Sequence, residues 1–67
     1  MDYKKLEIIG KQCQIFRLNI GARQTEVAEA CGCHFSNVSQ FERGKNNNAI
    51  ILAWYLMQGL RLEGVEF

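Results

Sequence analysis

Proline is missing altogether from this chain of 67 residues, so no ring removes a backbone donor and breaks a helix from within. Strict alternation of polar and apolar residues is missing as well, which leaves no basis for a sheet-based core. The most apolar stretch, 49–57, is far shorter than the ~18–20 residues that cross a bilayer. The amino terminus has neither the basic start nor the apolar centre of a signal peptide. No membrane partner is expected, and the expected location is the cytoplasm. A single histidine leaves no catalytic constellation, so neither an enzyme, a cofactor nor a small-molecule substrate is expected. Cys31, Gly32, Cys33 and His34 bring zinc-type donors together, but no second Cys or His pair exists to complete a tetrahedron. No metal is expected, and Cys13, Cys31 and Cys33 read as buried free thiols. Charge of one sign is scarce too. The net charge is +1, where a strongly basic domain is the usual footprint of a nucleic-acid binder. With no repeat and no low-complexity run, the chain reads as one domain over 1–67, small enough that its core is marginal.

What is present is helical period. Leu6, Ile9, Cys13, Phe16 and Ile20 step by three and four, which predicts a first helix over 3–18 with one apolar stripe. Gly10 sits inside it at a cost of ~1 kcal/mol against Ala, which points to close packing by a neighbour. Residues 19–23 close that helix, with Gly21 as the left-handed residue.

The stretch 24–44 splits at Gly32 into two short helices. Val27 and Cys31 share one face of the first, and Val38 and Phe41 share one face of the second. Gly32 sits where the chain must stop and turn, a place that favours positive φ. Ala28 lies one turn before it and is small enough to let the second helix cross closely. Two helices joined by a short turn containing Gly match a helix-turn-helix unit, here at about 24–43. The second helix, about 35–43, turns Phe35, Ser36, Asn37, Ser39 and Gln40 outward or sideways, a face of short hydroxyls and amides without Lys or Glu. Ser can bond to most base edges, and Gln can bind adenine through two hydrogen bonds in the major groove.

These residues resemble the helix-turn-helix of the Xre family, the small phage and plasmid regulators related to Cro and lambda repressor. The family places apolar residues at the positions of Val27, Cys31, Cys33, Val38 and Phe41. It expects Ala at Ala28, Gly at Gly32 and an opening Gln like Gln24. It closes the recognition helix with a run matched here by Glu42, Arg43, Gly44 and Lys45. The resemblance covers about 9–60. It departs from the family at Arg23 and His34, where Ser or Thr caps are usual, and at Phe35, where Arg or Gln is common. It departs again at Asn46, Asn47 and Asn48, where a basic residue and a Pro are usual.

The resemblance implies an all-α fold, a small four- to five-helix bundle of the lambda-repressor type. It implies a repressor of transcription that binds a near-palindromic operator in double-stranded DNA as a homodimer, in a bacterial nucleoid or a phage-infected cell. Phe35, Ser36 and Gln40 are the expected base readers, Phe35 through thymine methyls. Arg23, Gln24, Asn37, Lys45, Asn46 and Asn47 are the expected backbone contacts. Family members often keep an Arg and a Glu spaced like Arg17 and Glu42, which implies a buried or half-buried salt bridge between the first and third helices.

A fourth helix is expected over 48–58, opened by Asn47 or Asn48, with Ile50, Ala53, Trp54, Met57 and Leu60 as its core positions. Ile51 and Tyr55 then fall on its outer side. With Leu62, Val65 and Phe67 of the tail they form the expected dimer interface, within a dimerisation region over 48–67. The tail itself reads as coil or a short strand. An alternative of another class is a protein-interaction module, such as an antitoxin subunit or phage-encoded inhibitor, for which exposed Ile51, Tyr55 and Phe35 would serve equally.

Overall fold

In the computed structural model, which describes residues 3–65 (Tyr3 by its backbone alone), four helices follow one another. They are α1 (Tyr3–Asn19), α2 (Gln24–Cys31), α3 (Phe35–Glu42) and α4 (Ala49–Met57). Residues 60–65 form neither helix nor strand, so no fifth helix is present among the described residues. No helix there is long and apolar enough to cross a membrane.

Local chemistry explains where each helix starts and stops. Asn48 caps α4: its Oδ1 accepts from the backbone N–H of Ile50 at 2.9 Å and of Ile51 at 3.2 Å. His34 caps α3 in place of a hydroxyl, its Nδ1 accepting from Ser36 N–H at 3.2 Å. Arg23 cannot cap α2, because a guanidinium has no acceptor. Glu26 supplies the other half of a capping box instead, accepting from Arg23 N–H at 3.3 Å. At the end of α2, Gly32 adopts φ 69°. That left-handed turn lets Cys33 N–H reach back to the Ala28 carbonyl at 3.0 Å, closing a Schellman-type stop.

The core gathers Ile9 and Cys13 of α1, Val27 and Ala28 of α2, Val38 and Phe41 of α3, and Ile51 and Tyr55 of α4. Ile20, expected at the end of the α1 stripe, is 48% exposed, because it lies beyond the last residue of that helix. Gly10 lies where α1 meets the end of α3. A Cβ there would stand 2.5 Å from the Phe41 carbonyl oxygen and 2.6 Å from that of Glu42. The close packing expected from this glycine is therefore a contact of two backbones.

The fourth helix corrects the sequence reading. Ile51 and Tyr55, expected on the outer side, have no exposed surface at all, whereas Ile50 is 64% and Met57 82% exposed. Ala53, another expected core position, is exposed; Trp54 and Leu60 are half-buried against the core, as expected of core positions. The reason lies in α4 itself: its sequence, AIILAWYLM, is apolar on every side, so period selects no face. The partners of Tyr55 select it. Its ring stacks on Phe41 at 6.3 Å and 11°, meets Phe16 edge-on at 6.4 Å, and carries its hydroxyl to the carboxylate of Glu42.

The tail corrects the expected dimer interface in the same way. Leu62 and Val65 are half-buried and pack against the core of their own chain, together with Leu60. The Gln12 side chain holds this segment from both sides, donating to the Glu63 carbonyl at 2.6 Å and accepting from Glu63 N–H at 2.8 Å. Phe67, the remaining member of that interface, lies outside the described residues.

Candidate nucleic-acid interface

One carboxylate fixes the position of α3. Glu42, 4% exposed, accepts four hydrogen bonds. Arg17 Nε and Nη2 donate from α1 at 2.7 and 3.1 Å, Gln24 Nε2 from α2 at 3.1 Å, and the Tyr55 hydroxyl from α4 at 2.5 Å. The remaining arm of Arg17 donates to the Ala22 carbonyl at 3.0 Å, tying down the α1–α2 loop. Arg17 and Glu42 thus form the bidentate salt bridge expected between the first and third helices, with both partners buried. All four helices meet at this point, so the angle at which α3 presents its outer face is set by a fully satisfied polar network. The network leaves its mark on titration. Burial, then the hydrogen bond to Glu42, pushes the Tyr55 hydroxyl far above its ordinary range. Burial, then the charge of Glu42, pushes the Cys13 thiol up to about 12.

The same network settles the electrostatics of the outer face. Glu42 is the one acidic residue in α3 (FSNVSQFE), and its charge is turned inward and matched by Arg17. The exposed side of α3 therefore carries no carboxylate. Cations flank it at both ends: Arg23 is exposed beside the first turn, and Arg43 and Lys45 are exposed after the last. Lys45 is held there by its own backbone N–H, which donates to the Gln40 carbonyl at 2.8 Å.

The expected base readers lie along this helix. Phe35 is 48% exposed, Gln40 is exposed, and Ser36 is half-buried. The Ser36 Oγ lies 2.9 Å from His34 Nδ1. That nitrogen therefore meets both the backbone and the hydroxyl of Ser36 at the start of α3. Of the residues expected to contact the DNA backbone, Arg23, Lys45 and Asn47 are exposed and Asn37 is half-buried.

Two of the expected backbone contacts have other duties. The Gln24 amide donates inward to Glu42, because a buried carboxylate needs every donor within reach. Asn46 is half-buried. Its Nδ2 donates to the Asn37 carbonyl at 3.3 Å and its Oδ1 accepts from Asn48 N–H at 3.2 Å. It ties the loop after α3 to that helix rather than facing outward.

Sequence reasoning missed the Tyr55 hydroxyl and the Gln24 amide as partners of Glu42. A signal for both existed: a bidentate Arg meets each oxygen of a buried carboxylate once and leaves further lone pairs that call for other donors. It also missed the stacking of His34 on Phe35, whose ring centroids lie 4.5 Å apart at 34°.

No group of three or more potential metal ligands occurs among the described residues. No protein-family model matches the chain, and neither the curated proteins nor the solved structures gave a match.

Proposed function

We propose that this chain is a sequence-specific DNA-binding regulator of transcription, a repressor of the Xre type whose recognition helix is α3. The observation that carries this reading is the outer face of α3. It is free of carboxylate, offers Phe35, Ser36 and Gln40, and is bracketed by Arg23 on one side and by Arg43 and Lys45 on the other. Short polar groups between two cationic flanks suit base edges between two phosphate strands. The flanking cations Arg23, Arg43 and Lys45, rather than the net charge of +1, predict binding that weakens as salt rises, with a slope set by the phosphates they meet.

Titration of an operator selected from random duplexes tests it. Gln40→Ala should cost ~1–3 kcal/mol on the operator and little on random DNA, whereas Lys45→Ala should weaken both alike and reduce the salt slope by ~1. Equal losses on operator and random DNA for both variants would remove Gln40 from base reading.

The regulator acts as a homodimer in this reading, but through a different face of α4 from the one the sequence first indicated. Ile50 (64% exposed), Leu56 (46%) and Met57 (82%) leave an apolar stripe open to solvent, with exposed Ala53 between Ile50 and Met57. The occupant is a second copy. The stripe runs large, small, large along the helix, so two copies crossing at Ala53 would set each Ile50 against the partner's Met57. No charge on α4 opposes this contact. A patch on the order of a few hundred Å² falls short of the ~800 Å² per partner of a standard interface, so the free dimer should be weak. Sedimentation should show dissociation on dilution through the micromolar range, and Ile50→Glu with Met57→Glu should yield a monomer with an unchanged melting curve. A parent that stays monomeric at high micromolar concentration sinks this interface.

A further inference from the structure

Phe35 is an unusual residue for the first turn of a helix that reads DNA, since its ring can neither donate nor accept a hydrogen bond. Its surroundings are specific. One side of the ring is held by His34, at 4.5 Å between centroids, and His34 is itself fixed by capping α3 through Ser36 N–H. Phe35 also borders an open cleft whose other walls include Leu18, Ala22, Arg23 and Thr25. The end of α1 and the first turns of α2 and α3 therefore share one opening, largely apolar inside, with the exposed Arg23 on its rim. The contact with His34 restricts the ring on one side, so less side-chain freedom is lost when something packs against the other.

We infer that this cleft selects thymine through its C5 methyl group, with Phe35 as the specificity-determining residue and Arg23 holding the adjacent phosphate. Among the base edges exposed in the major groove, thymine alone carries an apolar group. Arg17 and Gln24 also line the cleft but are engaged by Glu42, so a largely apolar opening with Arg23 as its exposed cation matches a methyl group beside a phosphate. The inference rests on the DNA-binding reading and narrows it: each half-site contains one thymine whose methyl group, rather than its hydrogen-bonding pattern, is recognised. A scattered exposed Phe would need no explanation on its own. A Phe packed on its capping neighbour at the mouth of a largely apolar cleft, at the start of α3 where base contacts begin, acquires one.

The test replaces each thymine of the selected operator in turn by deoxyuridine, which removes the methyl group and leaves every hydrogen-bonding atom in place. One position per half-site should bind about fourfold more weakly, the equivalent of ~0.8 kcal/mol for one methyl-sized group. In Phe35→Ala that penalty should vanish, while a melting curve close to the parent's shows that the exposed ring was not holding the fold. Specific binding with no uracil penalty anywhere, or a penalty that persists in Phe35→Ala, overturns the inference and leaves the DNA-binding reading standing. Failure to prefer any sequence over random DNA overturns both.

Discussion

Replacing Glu42 by Gln, a nearly isosteric change, is expected to destabilise the protein by ~3–5 kcal/mol, the usual result of leaving one member of a buried ion pair without its partner. The local geometry explains why a neutral acceptor is no substitute. Every neighbour of the carboxylate is a donor: Arg17 twice, Gln24 once and Tyr55 once. Gln offers one acceptor oxygen and turns an amide N–H₂ toward the remaining donors, so at least one contact becomes donor against donor. Arg17, 8% exposed, then keeps its charge without compensation. A domain of this length holds only ~3–10 kcal/mol of total stability, so a melting temperature lower by about 15–30 °C is expected, or a chain already unfolded at room temperature. Replacing Arg17 and Glu42 together by Met and Leu should recover much of the loss, because no buried charge is then left alone. Tyr55→Phe, which removes one donor only, should cost ~1–2 kcal/mol. A Glu42→Gln melt within a few degrees of the parent would contradict the central place given to this network.

That network also marks the limit of what could be read in the sequence. The all-helical class, the positions of α1 to α3 and the turn at Gly32 follow from period and from single-residue chemistry, and the structure places them within a residue of expectation. An Asn cap for α4, at Asn47 or Asn48, was equally legible, because Asn side chains bind backbone N–H groups at helix starts, and the structure uses Asn48. The orientation of α4 was not. Both of its faces satisfy a helical period, and the choice between Ile50 and Ile51 depends on where the Tyr55 hydroxyl is needed. That need arises from Glu42, thirteen residues away, and no local pattern contains it. The outward residues of α3 were legible from the inward ones, since Val38 and Phe41 fix the opposite side. The internal bonds of Gln24 and Asn46 were not legible for one reason: a polar side chain in a short motif can serve the fold or a ligand, and only the contact tells which. The role of the tail is likewise tertiary. Gln12 holds Glu63 from fifty-one residues away, through a side chain that looks merely solvated on α1.

The second large effect concerns a site without a side chain. Gly10→Ala is expected to lower stability by ~2 kcal/mol, although helix propensity alone predicts a gain of ~1 kcal/mol for replacing a mid-helix Gly by Ala. Packing decides the sign. The added Cβ would lie 2.5 Å from the Phe41 oxygen, 2.6 Å from the Glu42 oxygen and 2.8 Å from the Glu42 carbonyl carbon. All three atoms are backbone at the end of α3, so no side chain can rotate away, and one helix must move from the other. Overpacking of this kind costs ~1–3 kcal/mol where a core has to shift. A further loss follows from position. Gly10 and Arg17 are seven residues apart on α1 and so share a face. Pushing α1 away from Phe41 and Glu42 therefore stretches the 2.7 Å contact between Arg17 and Glu42. The melting temperature should fall by about 8–16 °C, and the affinity for a selected operator should fall with it, because the Glu42 network that positions α3 is strained. A Gly10→Ala variant that melts at or above the parent temperature would show that the two helices separate freely, and that close approach at Gly10 is tolerated rather than required.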